Sequence, residues 1–337
     1  MSSNPLGNDV FIELEERFDA NVLNHILKNR DKFDPMIVSR RPNYEDYDIF
    51  GMAQRYLNLS HDGHIKTKYK QNNGYGRFYA VQSMSLQSIT RNIRHSIARD
   101  YYIDIDIVNC HPIILEHLCI QNNYPHKNLS HFIKNRDKIL SEHSEGKSVA
   151  KIGYLALTNG GTGKEFKATE FSKKYAQEMK NIHALFAMDN EEAYTKHKDK
   201  RKKSGKDFNH QASFMNTILC EHENSILMAM WNFFKRPSDC VFVFDGMMLP
   251  KSKGPYDLSK CEQFVMSKTK IKVSIVKKSM DEHIDMSNEL IEPYYADDVK
   301  LFDKVTQKIV NDVLMIMLTT QPYQKLYLWL SERTSAL

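Results

Sequence analysis

Two aspartates stand where a short apolar run ends, and that placement suits metal-assisted chemistry. Asp106 lies near the end of Ile103-Asp104-Ile105-Asp106-Ile107, and Asp245 follows Val241-Phe242-Val243-Phe244. Transfer of a phosphoryl group to a hydroxyl needs cations that activate the attacking oxygen and neutralise the leaving pyrophosphate. Hard cations such as Mg2+ take carboxylate oxygens, often only one or two from the protein. Asp104 shares a strand face with Asp106 and is a third possible ligand. Glu221 and Glu223 are weaker candidates, because acids on a helix are more often solvated than functional. Taken singly, Asp106 reads equally well as a helix cap and Asp245 as the start of an Asp-Gly turn.

A second pattern lies between the acids. Lys147, Lys151, Leu155 and Asn159 recur every four residues, so on a helix they share one stripe. Lysines there are suited to a triphosphate, and one beside the pyrophosphate can serve as general acid. Lysines four apart are also an ordinary solvated face. The segment Gly160-Gly161-Thr162-Gly163-Lys164-Glu165 is not a phosphate-binding loop of the G-x-x-x-x-G-K-[ST] type, since threonine occupies 158 and glutamate 165.

The elements that position these residues follow from periodicity. Residues 9 to 33 carry apolar side chains at helical spacing, and 40 to 62 read as irregular. Residues 101 to 108 alternate as a half-buried strand, and His111-Pro112 opens a helix. Residues 129 to 185 are mostly helical, broken at Asn159-Gly160-Gly161. Residues 196 to 206 (KHKDKRKKSGK) read as a basic loop that tracks a nucleic-acid backbone or is simply solvated. Residues 213 to 234 are helical. Residues 240 to 244 and 247 to 249 form a hairpin, and 271 to 276 a further strand. Two apolar helices are expected over 299 to 318 and 323 to 330.

Composition bounds the rest. The 337 residues are 41% apolar and 11% aromatic, enough for a sizeable core. A net charge of +5 permits nucleic-acid binding without demanding it. From Lys66 to Arg99 there are basic residues and no acidic one, and Tyr69, Tyr75, Phe78 and Tyr79 among them are candidates for base stacking or for core. The five cysteines are scattered, without zinc-ligand spacing, and are expected as reduced core thiols. Neither a signal-like apolar region nor a membrane-length apolar run is present, so a soluble protein of the cytoplasm, a viral factory or the nucleus is expected, with no membrane partner.

Four segments, in order, resemble the polymerase core of family A DNA polymerases and phage-type RNA polymerases. Gly76-Arg77-Phe78 through Ser85-Leu86-Gln87-Ser88-Ile89 is similar to the Gly-Arg-Leu…Asn-Leu-Gln-Asn-Ile stretch of that family. Asp106 to His111 (DIVNCH) resembles its first catalytic motif, Lys147-x3-Lys151-x7-Asn159-Gly160 its fingers helix, and Phe244-Asp245-Gly246 its His-Asp-Glu. The D-x-x-N-x-H-P and F-D-G variants look most like the TV-Pol group of viruses, virophages and mobile elements, often fused to a helicase. The resemblance covers 66 to 280.

It implies an α+β fold, with an antiparallel palm sheet carrying both aspartates and a helical fingers insertion. Expected divisions are 1–65 as an N-terminal helical region, 66–110 and 211–285 as palm, 111–210 as fingers and 286–337 as C-terminal helices. The implied function is a template-dependent DNA polymerase with primase activity. Its alternatives are a strictly primer-dependent polymerase and an inactive nucleic-acid-binding module that recruits a helicase. Asp106 and Asp245 would hold two Mg2+ or Mn2+ ions. Lys151 and Lys147 would grip the nucleoside triphosphate, with Asn109, His111 and Asn159 beside it. Arg77, Gln87, Arg91 and Arg94 would contact DNA template and primer. A helicase domain or subunit is the implied partner, and this chain is then the N-terminal part of a longer primase-helicase or works beside a separate one.

Overall fold

The computed structural model describes residues 8–34, 48–164 and 166–295. The apolar helices expected over 299 to 318 and 323 to 330 lie outside them. The architecture is mixed α/β, with two small antiparallel sheets and many helices.

The first sheet is β1 (Val10–Arg17), β2 (His64–Gln71) and β3 (Phe78–Ala80), in that order. β1 corrects the helix expected from residue 9 onward. Val10, Ile12 and Leu14 satisfy a period of two as well as part of a period near four, and the inward face continues through buried Glu16. The strand pairs with β2 over its whole length, from Val10↔Gln71 to Arg17↔His64. Glu16 is held by four neutral donors: Tyr69 Oη (2.7 Å), Ser85 Oγ (2.6 Å), Tyr56 Oη (2.9 Å) and the Leu86 N–H (2.7 Å). Helical periodicity resumes after Asp19, whose carboxylate caps α1 (Ala20–Lys28) at the Val22 N–H, 3.0 Å. A short helix, α2 (Arg30–Phe33), follows.

The stretch expected to be irregular contains α3 (Ile49–Leu59), capped by Asp48 and burying Phe50, Met52, Ala53, Tyr56 and Leu57. The Asp62-Gly63 turn ends this connection as its sequence suggests. Gly63 has φ +72°, and a Cβ there would lie 2.3 Å from the Phe18 carbonyl.

The second sheet has the order β5 (Val241–Val243), β6 (Gly246–Pro250), β4 (Tyr102–Ile107), β7 (Ile275–Lys278), all antiparallel neighbours. β7 begins four residues later than expected. Helices fill the chain between: α4 (Arg91–Ala98), α5 (Cys110–Asn122), α6 (Lys127–Ser141), α7 (Lys147–Thr158), α8 (Glu170–Asp189), α9 (Glu191–Lys203), α10 (His210–Phe233) and α11 (Leu258–Thr269). α9 replaces the basic loop expected from Lys196. Glu191 and Glu192 open it and Lys200 to Lys203 close it, each sign matched to the helix dipole, so it forms without a buried residue.

Alternation gives the second sheet two buried faces. Ile105, Ile107, Phe242, Met247, Leu249 and Ile275 join the larger core with α5, α10 and the helices after α5. Tyr102, Val241 and Met248 join a second core with α1, α3 and α4. Asp104 and Asp106 share this second face, so they stand beside a core rather than on a free surface. The five cysteines are all free and buried, as expected. Among the described residues no helix is long and apolar enough to cross a membrane.

Candidate active site

The pairing of β4 with β6 sets the two aspartates side by side. Asp106 stands opposite Gly246, and the Ile107 N–H donates to the Asp245 carbonyl at 3.2 Å. Gly246 allows the approach: a Cβ there would lie 2.3 Å from the Ile105 carbonyl oxygen and 3.0 Å from Asp106 Oδ1. The turn before it is strained, since Phe244 sits at φ 54° without being glycine. Its ring lies under the Arg77 guanidinium, 5.4 Å from the centroid.

The carboxylates are crowded with negative charge. Burial, then the charge of Asp245, raises Asp106 to about 7, against the opposing pull of Lys278. Burial, then Glu223, raises Asp245, with Lys278 and Arg77 opposing. Asp104 is raised chiefly by burial, while Arg94 and Lys278 pull it down. Lys278 faces Asp104 in the β4–β7 register and forms an ion pair with Asp106. Reading the last strand only to Val276 missed it. Continuing the alternation of Ile271, Val273 and Ile275 puts Lys278 on the face of the acids.

Glu223 is the other residue undervalued in sequence. It is 1% exposed, bonds Arg77 through both oxygens (Nη2 to Oε2, 2.6 Å) and meets His111 Nε2 at 2.9 Å. Its place on the stripe of Leu219, Ile226, Leu227 and Met230 is the available signal. Burial works against a charge on His111. Bonds to Cys220 and Glu223 overcome it and hold the imidazolium up to about 9. His111 Nδ1 therefore donates to Asn159 Oδ1 at 2.9 Å. Asn109, at φ 53°, turns the chain from β4 into α5.

α7 brings Lys151 toward the acids. Partial desolvation, then the charges of Arg136 and Lys278, lower its ammonium, while Asp106 opposes them. Lys151 makes no ion pair among the described residues, whereas Lys147 is spent on Asp137 at 2.8 Å. Beside Lys151, Ile152 and Leu155 are each 48% exposed.

The residues expected on nucleic acid do not form one surface. Gln87 is buried; its oxygen accepts from the Ala80 N–H (3.0 Å) and its nitrogen donates to the Phe78 (3.1 Å) and Phe242 (3.0 Å) carbonyls. Arg94 is buried and donates to Leu86 and Ile89 carbonyls. Arg91 pairs with Glu282 at 2.8 Å, and Arg77 is committed to Glu223. Tyr69 and Phe78 are core; Tyr75 and Tyr79 are nearly half exposed. A groove of about 860 Å³ lies elsewhere, on the first sheet, lined by Glu15, His64, Lys66 and Lys68. Lys66 and Lys68 stand opposite Glu15 and Glu13, which offsets their charge.

Among the described residues no group of three or more His, Cys, Asp or Glu side chains could hold a metal ion. Two carboxylates with substrate phosphates are nonetheless a common Mg2+ donor set. Mutual repulsion at Asp106 and Asp245 favours a cation between them. The nearby Cys110 thiol is pushed far up by burial and the surrounding acids.

No family model matches the chain. Over 296 residues it is 29% identical to a protein named putative helicase V13 of Sputnik virophage, a match covering 80% of this chain and 38% of that protein. The chain thus spans well under half the length of this relative. Among solved structures, the POL domain of Pol1 from M. smegmatis, in complex with DNA primer-template and dNTP, aligns over 78% of this chain and 56% of that chain. The identity is 14% and the TM-score 0.38, a likeness too slight to argue from.

Proposed function

We propose that the chain is a template-dependent DNA polymerase with primase activity, acting in the replication of a virus or mobile element. The observation that carries this reading is the pairing of β4 with β6. It sets Asp106 beside Asp245, 139 residues apart in sequence, with an unpaired lysine approaching from α7. The order of the four motifs supports it independently. In this reading the second sheet is the palm and the helices from α5 to α9 are the fingers.

The reaction is attack of a 3'-hydroxyl on the α-phosphate of a nucleoside triphosphate, with release of pyrophosphate. Asp106 and Asp245 would hold Mg2+ or Mn2+, which supplies activation of the hydroxyl and neutralisation of the developing charge. Lys278 offsets part of the burial and repulsion that raise Asp106. Lys151 reaches the triphosphate, and its lowered affinity for its proton suits it to protonate the leaving pyrophosphate. His111, braced between Glu223 and Asn159, closes the space beneath the nucleotide sugar and disfavours a 2'-hydroxyl. Arg77 neutralises Glu223 and supports the turn that presents Asp245.

The name of the virophage relative, a putative helicase, supports a helicase as working partner. The test is nucleotide incorporation on a single-stranded DNA template with Mg2+ or Mn2+, with and without primer. Products without primer that vanish in Asp106→Ala and Asp245→Ala establish a primase-polymerase. Products only with primer make it an elongating polymerase. Absence of product under both conditions, despite template binding, makes it a module that recruits other replication proteins.

A further inference from the structure

The positive charge of this chain is concentrated in one place. Residues 194 to 206 hold seven basic side chains and one acidic, a net +6, so the remaining 324 residues together are near neutral against a chain total of +5. This stretch is most of α9 and the turn behind it, and α9 buries no residue. The helix is seated by one face. Tyr194 and His197 meet the Phe214 ring edge-on, at 5.6 and 5.7 Å, and His197 Nε2 contacts Ser213 Oγ at 3.0 Å. Lys196, Lys200 and Lys203 recur at helical spacing on the exposed side. Lys196 is paired with Glu192 at 2.6 Å and Lys202 loosely with Asp207 at 3.9 Å. Lys198, Lys200, Lys203 and Lys206 make no ion pair among the described residues.

Past the end of α9 stands an exposed aromatic ring, held by Arg201 of the helix. Phe208 is 66% exposed, its carbonyl accepts from Arg201 Nη2 at 3.1 Å, and the guanidinium lies 5.5 Å from the ring centroid. A ring held in water against a cation gains nothing from the core. Unpaired cations together with an exposed aromatic are the elements by which proteins hold single-stranded nucleic acid: charge follows the phosphates and the ring stacks a base. A duplex presents its phosphates on two strands across a major groove about 12 Å wide. One short cationic helix with a single exposed ring beyond its end matches one strand better.

We infer that α9, the turn to Lys206 and Phe208 form an arm that binds single-stranded nucleic acid. Its distance from the acids suits a template. Glu223, beside Asp245, lies thirteen residues along α10 from His210, about 20 Å at a rise of about 1.5 Å per residue. The arm takes its ligand class from the phosphates and bases alone. Calling that ligand the template rests on the polymerase reading.

The test is fluorescence anisotropy of the full chain carrying Asp245→Ala, so that no synthesis intervenes, with labelled 20-nucleotide single strands and blunt duplexes at several salt concentrations. Lys198, Lys200, Lys203 and Lys206 are changed together to Gln, which keeps helix propensity, and in a second variant together to Arg, which keeps charge. The Gln variant should lower the salt slope on single strands by about 0.7 per lysine, and the Arg variant should keep it. Phe208→Ala should weaken binding at least about fivefold on a normal strand and not on an abasic one. An unchanged slope in the Gln variant overturns the arm and leaves the polymerase reading intact. Equal losses on duplex overturn the single-strand assignment. Failure of the parent chain to bind any nucleic acid overturns both.

Discussion

Replacing Glu223 with Gln removes the anion shared by buried His111 and part-buried Arg77, and the cost can be worked in two ways. His111 is 6% exposed and Glu223 1%, so solvent screens the pair little. The imidazole titrates at about 9 instead of 6.5, although burial and Arg77 both push it down. The interval corresponds to about 3.4 kcal/mol, at about 1.36 kcal/mol per pH unit, and the bonds to Cys220 and to Glu223 produce it together. Breaking a buried ion pair by deleting one partner costs about 3–5 kcal/mol, in agreement. Because the folded value is the raised one, this stabilisation is fully present below pH 6.5 and is lost as pH rises through about 9. Urea unfolding at pH 6.5 should therefore show Glu223→Gln destabilised by about 3 kcal/mol, with much of the difference gone at pH 10. The His111 ring resonance, assigned against His111→Gln, should titrate near 9 in the parent and near or below 6.5 in the variant. A cost under about 1 kcal/mol, or a parent His111 that titrates at 6.5, would refute this account of the cluster.

Gly246→Ala forces a methyl group against the Ile105 carbonyl and should cost about 1–3 kcal/mol by overpacking, together with nucleotide incorporation; a stable, active variant would contradict it. Glu16→Gln places an amide donor among four donors and should lose about 1–3 kcal/mol in denaturant unfolding, so an unchanged midpoint sinks the bracing role. Mg2+ should raise the melting temperature of the parent chain and leave Asp245→Asn unmoved; equal shifts would place the ion elsewhere. His111→Ala should raise ribonucleotide incorporation relative to deoxyribonucleotide in a primer-extension gel, and an unchanged ratio would dismiss the steric role.

Where a residue's neighbours in sequence decide its environment, the sequence is readable. The alternation of residues 102 to 107, the Asp-Gly hairpin and the helices around Lys151 are all local patterns, and the structure has them. β1 escapes periodicity because Val10, Leu14 and Phe18 fit a helix until Glu16 finds its four donors, which come from residues 40 to 70 positions away. α9 lacks an apolar stripe, so periodicity had nothing to detect, although its end charges favour a helix. Lys278 and Glu223 gain their meaning only from register and burial. Gln87 and Arg94 lie in a segment resembling a nucleic-acid contact, yet nothing in their types announces that both are turned inward.

Phe132, Tyr154, Phe166 and Tyr175 interlock α6, α7 and α8, so those helices form one block. That block is packed along its length against α5 and α10 in the larger core. At its end Asn159 bonds His111, and Gly160 lies so close to Ala212 that a Cβ would come within 2.2 Å of the alanine methyl. Lys151 lies eight residues from Asn159 along α7, about 12 Å. The bond that positions His111 therefore also fixes where α7 ends, and with it the place from which Lys151 faces the paired acids.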